Sequence, residues 1–429
     1  MSDLKFEIEW EDPGGARGEE LRATWARLEI SVGESIVTRA FDPILNSVRT
    51  GLYAPLYPLA EWIVSNWWPL LRECRMPNRA AKASYAKRHN LRFAGEGFAM
   101  PWLELRPTRG EFAVEWRQHD LPRQRLSFIQ EGSALIASSL VEDSLSLFVN
   151  RVIERLDSRG VRGTPLQEDW RSILNQDADE AAFCNAVGAM GLDPFDVPDE
   201  VSKAVLAASA TLSGELESDF FEAADLEQLD EQLQWVKSGL QLAQSQSLEL
   251  PGLMRVKAAL TKVDGRKSSW SQGYELAREL RSALGIADIE RIALADLSPG
   301  DAVERAMLMP PTRQTGFDAL AAVNKLGSPS FVVRQGNELS KRFSFCRALF
   351  EFLHSPTPTP SLISAAISEK QKRNRAFAAE LLAPERLIRG RMSGDSIDSA
   401  EVEDLATRFE VSTYVIAHQI ENHQLGEVL

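Results

Sequence analysis

The sequence predicts an α+β protein with an N-terminal mixed domain, a helical middle region and a mostly helical C-terminal domain. Within residues 1–160, several short segments alternate between apolar and polar side chains, which is typical of strands with one buried face. Residues 161–267 carry apolar side chains at helical spacing instead. Residues 268–429 combine further helical patterns with one short strand-like segment. These three stretches are the predicted domains.

The composition indicates a globular protein that is not a general binder of nucleic acid. The chain has 429 residues, of which 44% are hydrophobic and 26% charged, and its net charge is -14. A negative surface repels a polyanion, although it does not exclude a local basic patch. The length is that of about three domains.

Cysteine usage and hydropathy predict a cytoplasmic protein without membrane association. Cys74, Cys184 and Cys346 are far apart and form no CxxC pair, which is typical of a reducing compartment. The first twelve residues lack the apolar core of a signal peptide. Residues 55–71 are the most apolar stretch, but prolines and polar residues interrupt it and it is too short to cross a bilayer.

Residues 1–160 are predicted to form an antiparallel sheet with helices. Trp25–Val32 and residues 35–40 flank Gly33 and Glu34, which indicates a hairpin. A tryptophan-rich segment entered through Pro58 predicts a core helix, because large aromatic side chains are usually buried. Three later segments alternate like strands of one antiparallel sheet: residues 102–107, 111–116 and 125–130.

The helical middle region, residues 161–267, contains one regular apolar pattern. This pattern lasts for less than three heptads, so it indicates helix packing within the chain rather than a dimeric coiled coil. Its members are Leu226, Leu229, Leu233, Val236, Leu240 and Ala243.

Two apolar helices are predicted in the C-terminal domain. Residues 341–354 place Phe345, Leu349 and Phe352 on one helical stripe. Residues 374–384 read Asn-Arg-Ala-Phe-Ala-Ala-Glu-Leu-Leu-Ala-Pro, and the final proline ends the second helix. Residues 330–334 predict a strand before the first of these helices.

These segments resemble the core of the ImmA/IrrE-type metallopeptidase family. That family carries Arg-Phe and then His-Glu-x-x-His on one helix, followed after a loop by Glu-x-x-Ala-Asn-x-Phe-Ala-Ala-x-Leu-Leu-x-Pro. Arg342-Phe343 and residues 374–384 match this pattern, as do Gly-Tyr-x-Leu-Ala-Arg-x-Leu-Arg at 273–281 and Leu-Ala-x-x-Phe-x-Val-Ser at 405–412. The resemblance implies a zincin-like domain over residues 268–429. In combination, residues 51–68, 85–103 and 183–196 resemble the N-terminal half of uncharacterised bacterial proteins that carry such a domain, and this resemblance implies no activity.

The residues that would bind zinc in that family are replaced. Two histidines four residues apart can bind one zinc ion, with the intervening glutamate as base. Here Arg347 stands at the first ligand position, Ala348 at the base position and Glu351 at the second ligand position, while the third ligand falls on Lys370. Cationic arginine and lysine offer no lone pair to a metal. The resemblance therefore implies a pseudo-peptidase with no metal, no cofactor and no catalytic residue, rather than an enzyme.

New ionic contacts are expected where the zinc site has been lost. Arg347 and Glu351 are four residues apart and share one helix face. In the resembled fold, Lys370 would face the same point from the second helix. We expect Glu351 to pair with Arg347, Lys370 or both.

A basic run begins at the replaced third ligand. Such a run is usually a solvated helix face, and the alternative is a patch that binds nucleic acid or an acidic partner. Its members are Lys370, Lys372, Arg373 and Arg375.

The leading interpretation is a non-catalytic binding or regulatory protein that uses its decayed domain to hold a peptide or protein partner. Members of the resembled family act as regulators beside DNA-binding or toxin partners, which implies stress, prophage, toxin–antitoxin or phage-defence regulation. Two alternatives stay open. One is an enzyme whose active site surrounds Arg88, His89 and Glu96 in the N-terminal domain. The other, less favoured, is a nucleic-acid-binding regulator that acts through the C-terminal helices.

The loss of the ligands predicts a protein that folds without zinc. Elemental analysis of untagged protein purified without chelators should find no stoichiometric zinc. A chelator should leave the melting temperature unchanged, because no metal-binding free energy contributes to folding. One bound zinc ion per chain would contradict the pseudo-peptidase interpretation.

Overall fold

The computed structural model describes residues 3–12, 17–76, 81–121, 126–261, 267–287, 290–297, 303–310, 316–357, 359–392 and 396–428. The chain forms two compact units, residues 1–205 and 206–429. Each unit contains both helices and antiparallel strands, which confirms the predicted α+β class.

The first unit combines small antiparallel sheets with a group of helices. Its strands are β1 (Leu4–Trp10), β2 (Trp25–Val32), β3 (Ser35–Ile36), β4 (Ala40–Asp42), β5 (Ser47–Arg49), β6 (Leu52–Pro55), β7 (Trp102–Pro107), β8 (Glu111–Arg117), β9 (His119–Leu121), β10 (Leu126–Phe128) and β11 (Gly132–Ala137). Its helices are α1 (Glu19–Ala23), α2 (Tyr57–Ser65), α3 (Trp67–Arg72), α4 (Lys82–His89), α5 (Ser138–Ser158), α6 (Pro165–Leu174), α7 (Ala178–Ala189) and α8 (Asp199–Ser209), and a 3₁₀ turn covers Leu91–Phe93.

The predicted hairpin is confirmed in the first sheet. Strand β2 pairs with β1, β3 and β6, and Val32 lies opposite Ser35. Gly33, between them, has a φ of 56°, a left-handed conformation that glycine adopts without the steric cost of a side chain.

One predicted strand forms but belongs to a different sheet. Residues 126–128 form β10, which pairs with β4 and β9, and β11 takes its expected place beside β8 in the sheet with β7. Residue 125 lies outside the described residues. The pattern gave the right side-chain period, but the partner strand is chosen by burial. Leu126 and Phe128 bury their side chains with Ala40 and Leu52 in a small separate core.

The tryptophan-rich segment after Pro58 lies in the core of the first unit, as predicted. It forms α2 and α3, and Trp67 and Trp68 are both buried. The ring of Trp67 packs edge-on against Trp170 of α6 with 4.9 Å between centroids. The Trp67 side chain is thus part of the core packing between helices.

The second unit places a four-stranded sheet between helices. Its strands are β12 (Met307–Leu308), β13 (Phe317–Val323), β14 (Pro329–Val333), β15 (Ser361–Ser364), β16 (Ser396–Ile397) and β17 (Glu427–Val428). Its helices are α9 (Gly214–Ala223), α10 (Leu229–Ser245), α11 (Pro251–Ala259), α12 (Ser269–Ala283), α13 (Glu338–His354), α14 (Glu369–Leu382), α15 (Glu385–Arg389), α16 (Ser399–Phe409) and α17 (Thr413–Asn422), with 3₁₀ turns at Leu226–Gln228, Leu294–Leu297 and Val303–Ala306.

The predicted helical middle region is shared between the two units. Helices α6 and α7 contribute Leu166, Trp170 and Cys184 to the core of the first unit. The division between the units falls within α8. Helix α10 lies in the second unit.

The main sheet of the second unit is buried on both faces. Its strand order is β12-β14-β13-β15. Phe331 of β14 packs against Phe345 of α13, with 4.9 Å between ring centroids. Leu320 and Val332 lie beside Gly239 of α10 instead. Leu229, Leu233, Val236 and Ala243 of the predicted pattern are buried, which confirms packing within the chain, whereas Leu226 is 40% exposed in the preceding 3₁₀ turn.

Helices α12 and α14 approach each other closely at Gly273. A Cβ atom at this position would lie 2.3 Å from the carbonyl oxygen of Arg373 and 2.8 Å from the amide nitrogen of Phe377. Both atoms belong to the backbone of α14 and cannot move away alone. The contact depends on the absence of a side chain at position 273.

Within the described parts of the chain, no helix is both long enough and apolar enough to cross a membrane.

The close helix contact predicts that Gly273→Ala destabilises the second unit. Alanine normally stabilises a helix by about 0.5–1 kcal/mol relative to glycine, but overpacking here should cost about 1–3 kcal/mol. The midpoint of urea unfolding should therefore fall. Gly336→Ala is the matched control, because its new Cβ would meet only the Cβ of Ser340, at 3.8 Å. An unchanged midpoint for Gly273→Ala would contradict the close packing.

Candidate functional site

Helices α13 and α14 bring the four replaced positions together in the second unit. Arg347, Glu351 and Lys370 are all charged, yet each is less than a tenth exposed. Ala348 is fully buried and has no group that could act as a base. Charges in such a setting are costly unless they are paired and hydrogen-bonded. The partners of each group therefore define what the site can do.

Arg347, at the first ligand position, has hydrogen bonds from all three guanidinium nitrogens. Its Nη1 donates to Asp318 Oδ2 at 2.7 Å, and its Nε donates to Asn374 Oδ1 at 2.8 Å. Its Nη2 donates to the Ser364 carbonyl and to Gln371 Oε1, both at 2.7 Å. Burial lowers the pKa of Arg347 to about 10, an effect that the Asp318 carboxylate partly offsets. Arg347 therefore remains a cation at neutral pH and fixes α13, α14, β13 and β15 together.

Lys370, at the third ligand position, pairs with a carboxylate from α9. Its Nζ lies 2.6 Å from Asp219 Oδ2, and Asp219 also accepts the amide hydrogen of Leu362 at 2.8 Å. The Lys370 and Asp219 side chains are 5% and 0% exposed, so solvent does not screen the pair. The third ligand of the resembled motif stands four residues before its Asn and six before its Phe. Counted from Asn374 it falls on Lys370, and counted from Phe377 it falls on Gln371, whose Oε1 accepts a hydrogen bond from Arg347 Nη2 at 2.7 Å.

Of the partners predicted for Glu351, the structure places Lys370 within ion-pair distance. Glu351 Oε2 lies 3.9 Å from Lys370 Nζ, at the outer limit of an ion pair. Its Oε1 accepts a hydrogen bond from Asn374 Nδ2 at 3.1 Å. Among the described ion pairs, none joins Glu351 to Arg347, because the guanidinium is held by Asp318 and the Ser364 carbonyl instead.

Sequence reasoning missed Asp219 and Asp318. Asp219 precedes Lys370 by 151 residues and Asp318 precedes Arg347 by 29. Each lies in a separate element with no spacing relation to the motif. The sequence offered only an indirect signal for these two aspartates: cations predicted at positions 347 and 370 inside a core require carboxylates nearby.

In the described parts of the second unit, no three histidine, cysteine, aspartate or glutamate side chains are placed to hold a metal ion. The donors at the replaced positions do not fit a zinc site. Glu351 offers one carboxylate, whereas Arg347 and Lys370 present cations to it.

An open cleft lies beside this closed network, between α12, α13, α14 and α17. Its volume is about 720 Å³, within the range of roughly 300–1,000 Å³ that is usual for ligand sites. Asp318 and Arg347 belong to both the network and the cleft wall. The remaining wall includes aromatic, aliphatic and polar side chains, among them Trp270, Asn337, Leu339, Phe343, Tyr414, Val415, His418 and Asn422.

The four residues of the basic run have different contact partners. Lys370 is buried against Asp219, and Lys372 pairs with Glu369 at 2.7 Å. Arg373 donates to Gln272 Oε1 at 3.3 Å, and its guanidinium lies 5.4 Å from the Phe350 ring centroid. Arg375 donates to the backbone carbonyls of residues 364 and 366. Of the four, Lys372 and Arg375 line the cleft.

The alternative site in the first unit is built around a buried ion pair. Arg88 and His89 both contact Glu73, at 2.8 Å and 3.1 Å. His89 is fully buried, contacts the Leu105 carbonyl with its other nitrogen and stacks on Tyr85. Glu96 lies on an exposed turn. Because His89 has no exposed surface, this arrangement favours a structural role over an active site.

Comparison of the chain with models of known protein families finds no match, and comparison with curated protein sequences finds none either. The ImmA/IrrE resemblance accordingly remains a prediction that rests on the motif residues.

The buried ion network predicts different costs for two lysines on one helix. Lys370→Met removes the ammonium that lies between two buried carboxylates, so it should lower the free energy of unfolding by about 3–5 kcal/mol. Lys372→Met breaks a partly exposed pair and should cost about 0.3–0.5 kcal/mol. Glu351→Ala should cost less than Lys370→Met, because Lys370 keeps its contact with Asp219. Urea unfolding measures all three, and equal costs for the two lysines would contradict the network.

Proposed function

We propose that the protein is a non-catalytic binding protein whose cleft in the second unit holds a peptide segment of a partner protein. The observation that carries this proposal is the contrast between two neighbouring regions. The replaced metal positions form a buried, internally bonded network, whereas the cleft beside them stays open over about 720 Å³.

The absence of family chemistry at the replaced positions supports a non-catalytic role. Hydrolysis by this family's mechanism needs a metal-bound water and a general base. Ala348 cannot accept a proton, and the Arg347 and Lys370 cations would repel a dication. Glu351, the one carboxylate among the four replaced positions, is buried and accepts a hydrogen bond from Asn374.

The mixed lining of the cleft supports a peptide as its occupant. A peptide offers backbone amides and carbonyls together with side chains of varied polarity. Asn337, Ser340 and Asn422 can bond a backbone, while Phe343 and Val415 offer apolar contact. A folded domain would not fit within this volume.

The cellular role in this proposal comes from the resemblance. A decayed ImmA/IrrE-type domain that still holds a peptide could regulate a partner in stress, prophage, toxin–antitoxin or phage-defence responses. The cysteines Cys74, Cys184 and Cys346 are all free, which is compatible with a proposed cytoplasmic location. Nucleic acid has less support as the partner. The net charge is -14, and in the basic run Lys370 is buried against Asp219 and Lys372 is paired with Glu369.

Filling the cleft should abolish peptide binding. Ala379 lies in its wall, so Ala379→Trp should occupy space without changing charge. In a fluorescence screen of synthetic octapeptides, the full-length wild-type chain should bind a subset, and Ala379→Trp should weaken that binding by at least about tenfold. Ala400→Trp, at an exposed position on α16, is the control and should retain wild-type affinity.

Two results would overturn the proposal. One is the absence of any peptide binding by the wild-type chain, and the other is equal binding by wild type and Ala379→Trp. Bound peptides should also remain intact after long incubation with added zinc. Cleavage would contradict the non-catalytic part of the proposal.

A further inference from the structure

The cleft contains more positive than negative charge. Asp318 is the one carboxylate among the described residues of its wall, and it pairs with Arg334 at 3.2 Å and Arg347 at 2.7 Å. Arg375 donates its described hydrogen bonds only to carbonyl oxygens, at 2.7 Å and 3.3 Å. The guanidinium groups of Arg334 and Arg347 thus share one carboxylate, and no described ion pair joins Arg375 to it. Arg334 is 41% exposed, so a ligand can reach it.

Two helices direct their N-terminal ends into the same space. The first turn of α13, after its N-cap Asn337, contributes Leu339 and Ser340 to the wall. The first turn of α17, after its N-cap Ser412, contributes Tyr414 and Val415. The N-terminal end of a helix carries partial positive charge, which favours an anion. Asn337 and Ser412 already accept the Ser340 and Val415 amide hydrogens, so the contribution of these ends is that of the helix dipole. This field adds to that of the arginines.

Burial of the arginines is incompletely balanced. Burial lowers the pKa of Arg375, and the Asp318 carboxylate offsets only part of this effect. An added anion near Arg375 and Arg334 would stabilise both cations. The exposed Arg334 and the carbonyl-bound Arg375 together favour a further negative group in the cleft.

Large apolar side chains stand exposed at the edge of the charged region. Trp270 is 55% exposed and Tyr414 is 70% exposed, and both line the cleft. Exposed aromatic residues beside an arginine are typical of binding surfaces. The cleft thus offers an anion site next to an aromatic one.

We propose that the cleft selects acidic peptides, with a carboxylate against Arg334 and Arg375 and a neighbouring apolar side chain against Trp270 and Tyr414. This inference rests on the proposed function and specifies the chemistry of its ligand. A peptide is favoured over a nucleic acid because the chain's net charge of -14 repels a long polyanion, whereas one carboxylate meets only the local positive charge.

The test uses octapeptides synthesised in pairs that differ by one glutamate or glutamine, with the full-length protein and fluorescence anisotropy as readout. Glutamate members should bind about tenfold or more tightly than their glutamine partners, and the difference should shrink at high salt. Arg334→Gln should weaken binding of glutamate peptides by about tenfold and leave glutamine peptides unchanged. Arg408→Gln, an exposed site on α16 with the same charge change, should alter neither.

Further peptides distinguish the two sources of a carboxylate. Each glutamine peptide is also made with a free C-terminal carboxylate and with a C-terminal amide. Tighter binding of the free acid assigns the site to a chain terminus, and tighter binding of internal glutamate assigns it to an acidic side chain. Either result supports the proposal.

The failure of this inference is separable from that of the proposed function. Binding of the glutamate, glutamine, free-acid and amide forms all within about twofold of one another would overturn the acidic selectivity and leave peptide binding intact. No binding by any peptide would overturn both. Tighter binding of a labelled oligothymidylate, also reduced by Arg334→Gln, would overturn the peptide assignment in favour of nucleic acid. Comparing glutamate and glutamine peptides on the wild-type chain keeps the test valid even if Arg334→Gln folds poorly.

Discussion

A buried guanidinium must keep its N–H groups paired, and this requirement organises the second unit around Arg347. Its partners come from β13, β15 and α14, so one side chain of α13 links three other elements. An unpaired donor in such a place would cost about 1–3 kcal/mol, and more for a charged group. The sheet and the two helices are therefore fixed not only by apolar packing but also by a set of directional bonds.

Asp318 connects this internal network to the cleft. Its two carboxylate oxygens contact different arginines, Oδ2 the buried Arg347 and Oδ1 the more exposed Arg334. One carboxylate cannot balance both cations and Arg375 as well. The same residue that satisfies the core thus leaves the adjoining cleft positively charged. Arg347 thus belongs both to the buried network and to the wall of the cleft.

Local sequence patterns predicted many helices of the second unit, but they did not predict contacts between residues that are distant in the sequence. The helical stripes around Phe345 and Phe377 gave α13 and α14, and Ser412 caps α17 as expected, accepting a hydrogen bond from the Val415 amide. Hydrophobic periodicity indicates which face of an element is buried, so elements of this kind can be predicted from the sequence. The contact between Lys370 and Asp219 depends on how α9 packs, and the partner of β10 depends on a separate small core. Neither the Lys370–Asp219 contact nor the partner of β10 can be predicted from the spacing of residues along the chain.

The network also explains why the replaced positions cannot be regarded independently. Histidine at 347 would remove the N–H groups whose hydrogen bonds Asp318, Gln371 and the Ser364 carbonyl now accept. The Lys370 ammonium would still lie beside Glu351. A dication placed there would meet that ammonium at close range in a site that solvent screens poorly. A metal-binding arrangement here would thus require changes at 347, 351 and 370, together with new partners for Asp219 and Asp318. Each single change would leave a buried charge with fewer partners, so these side chains form one interdependent set.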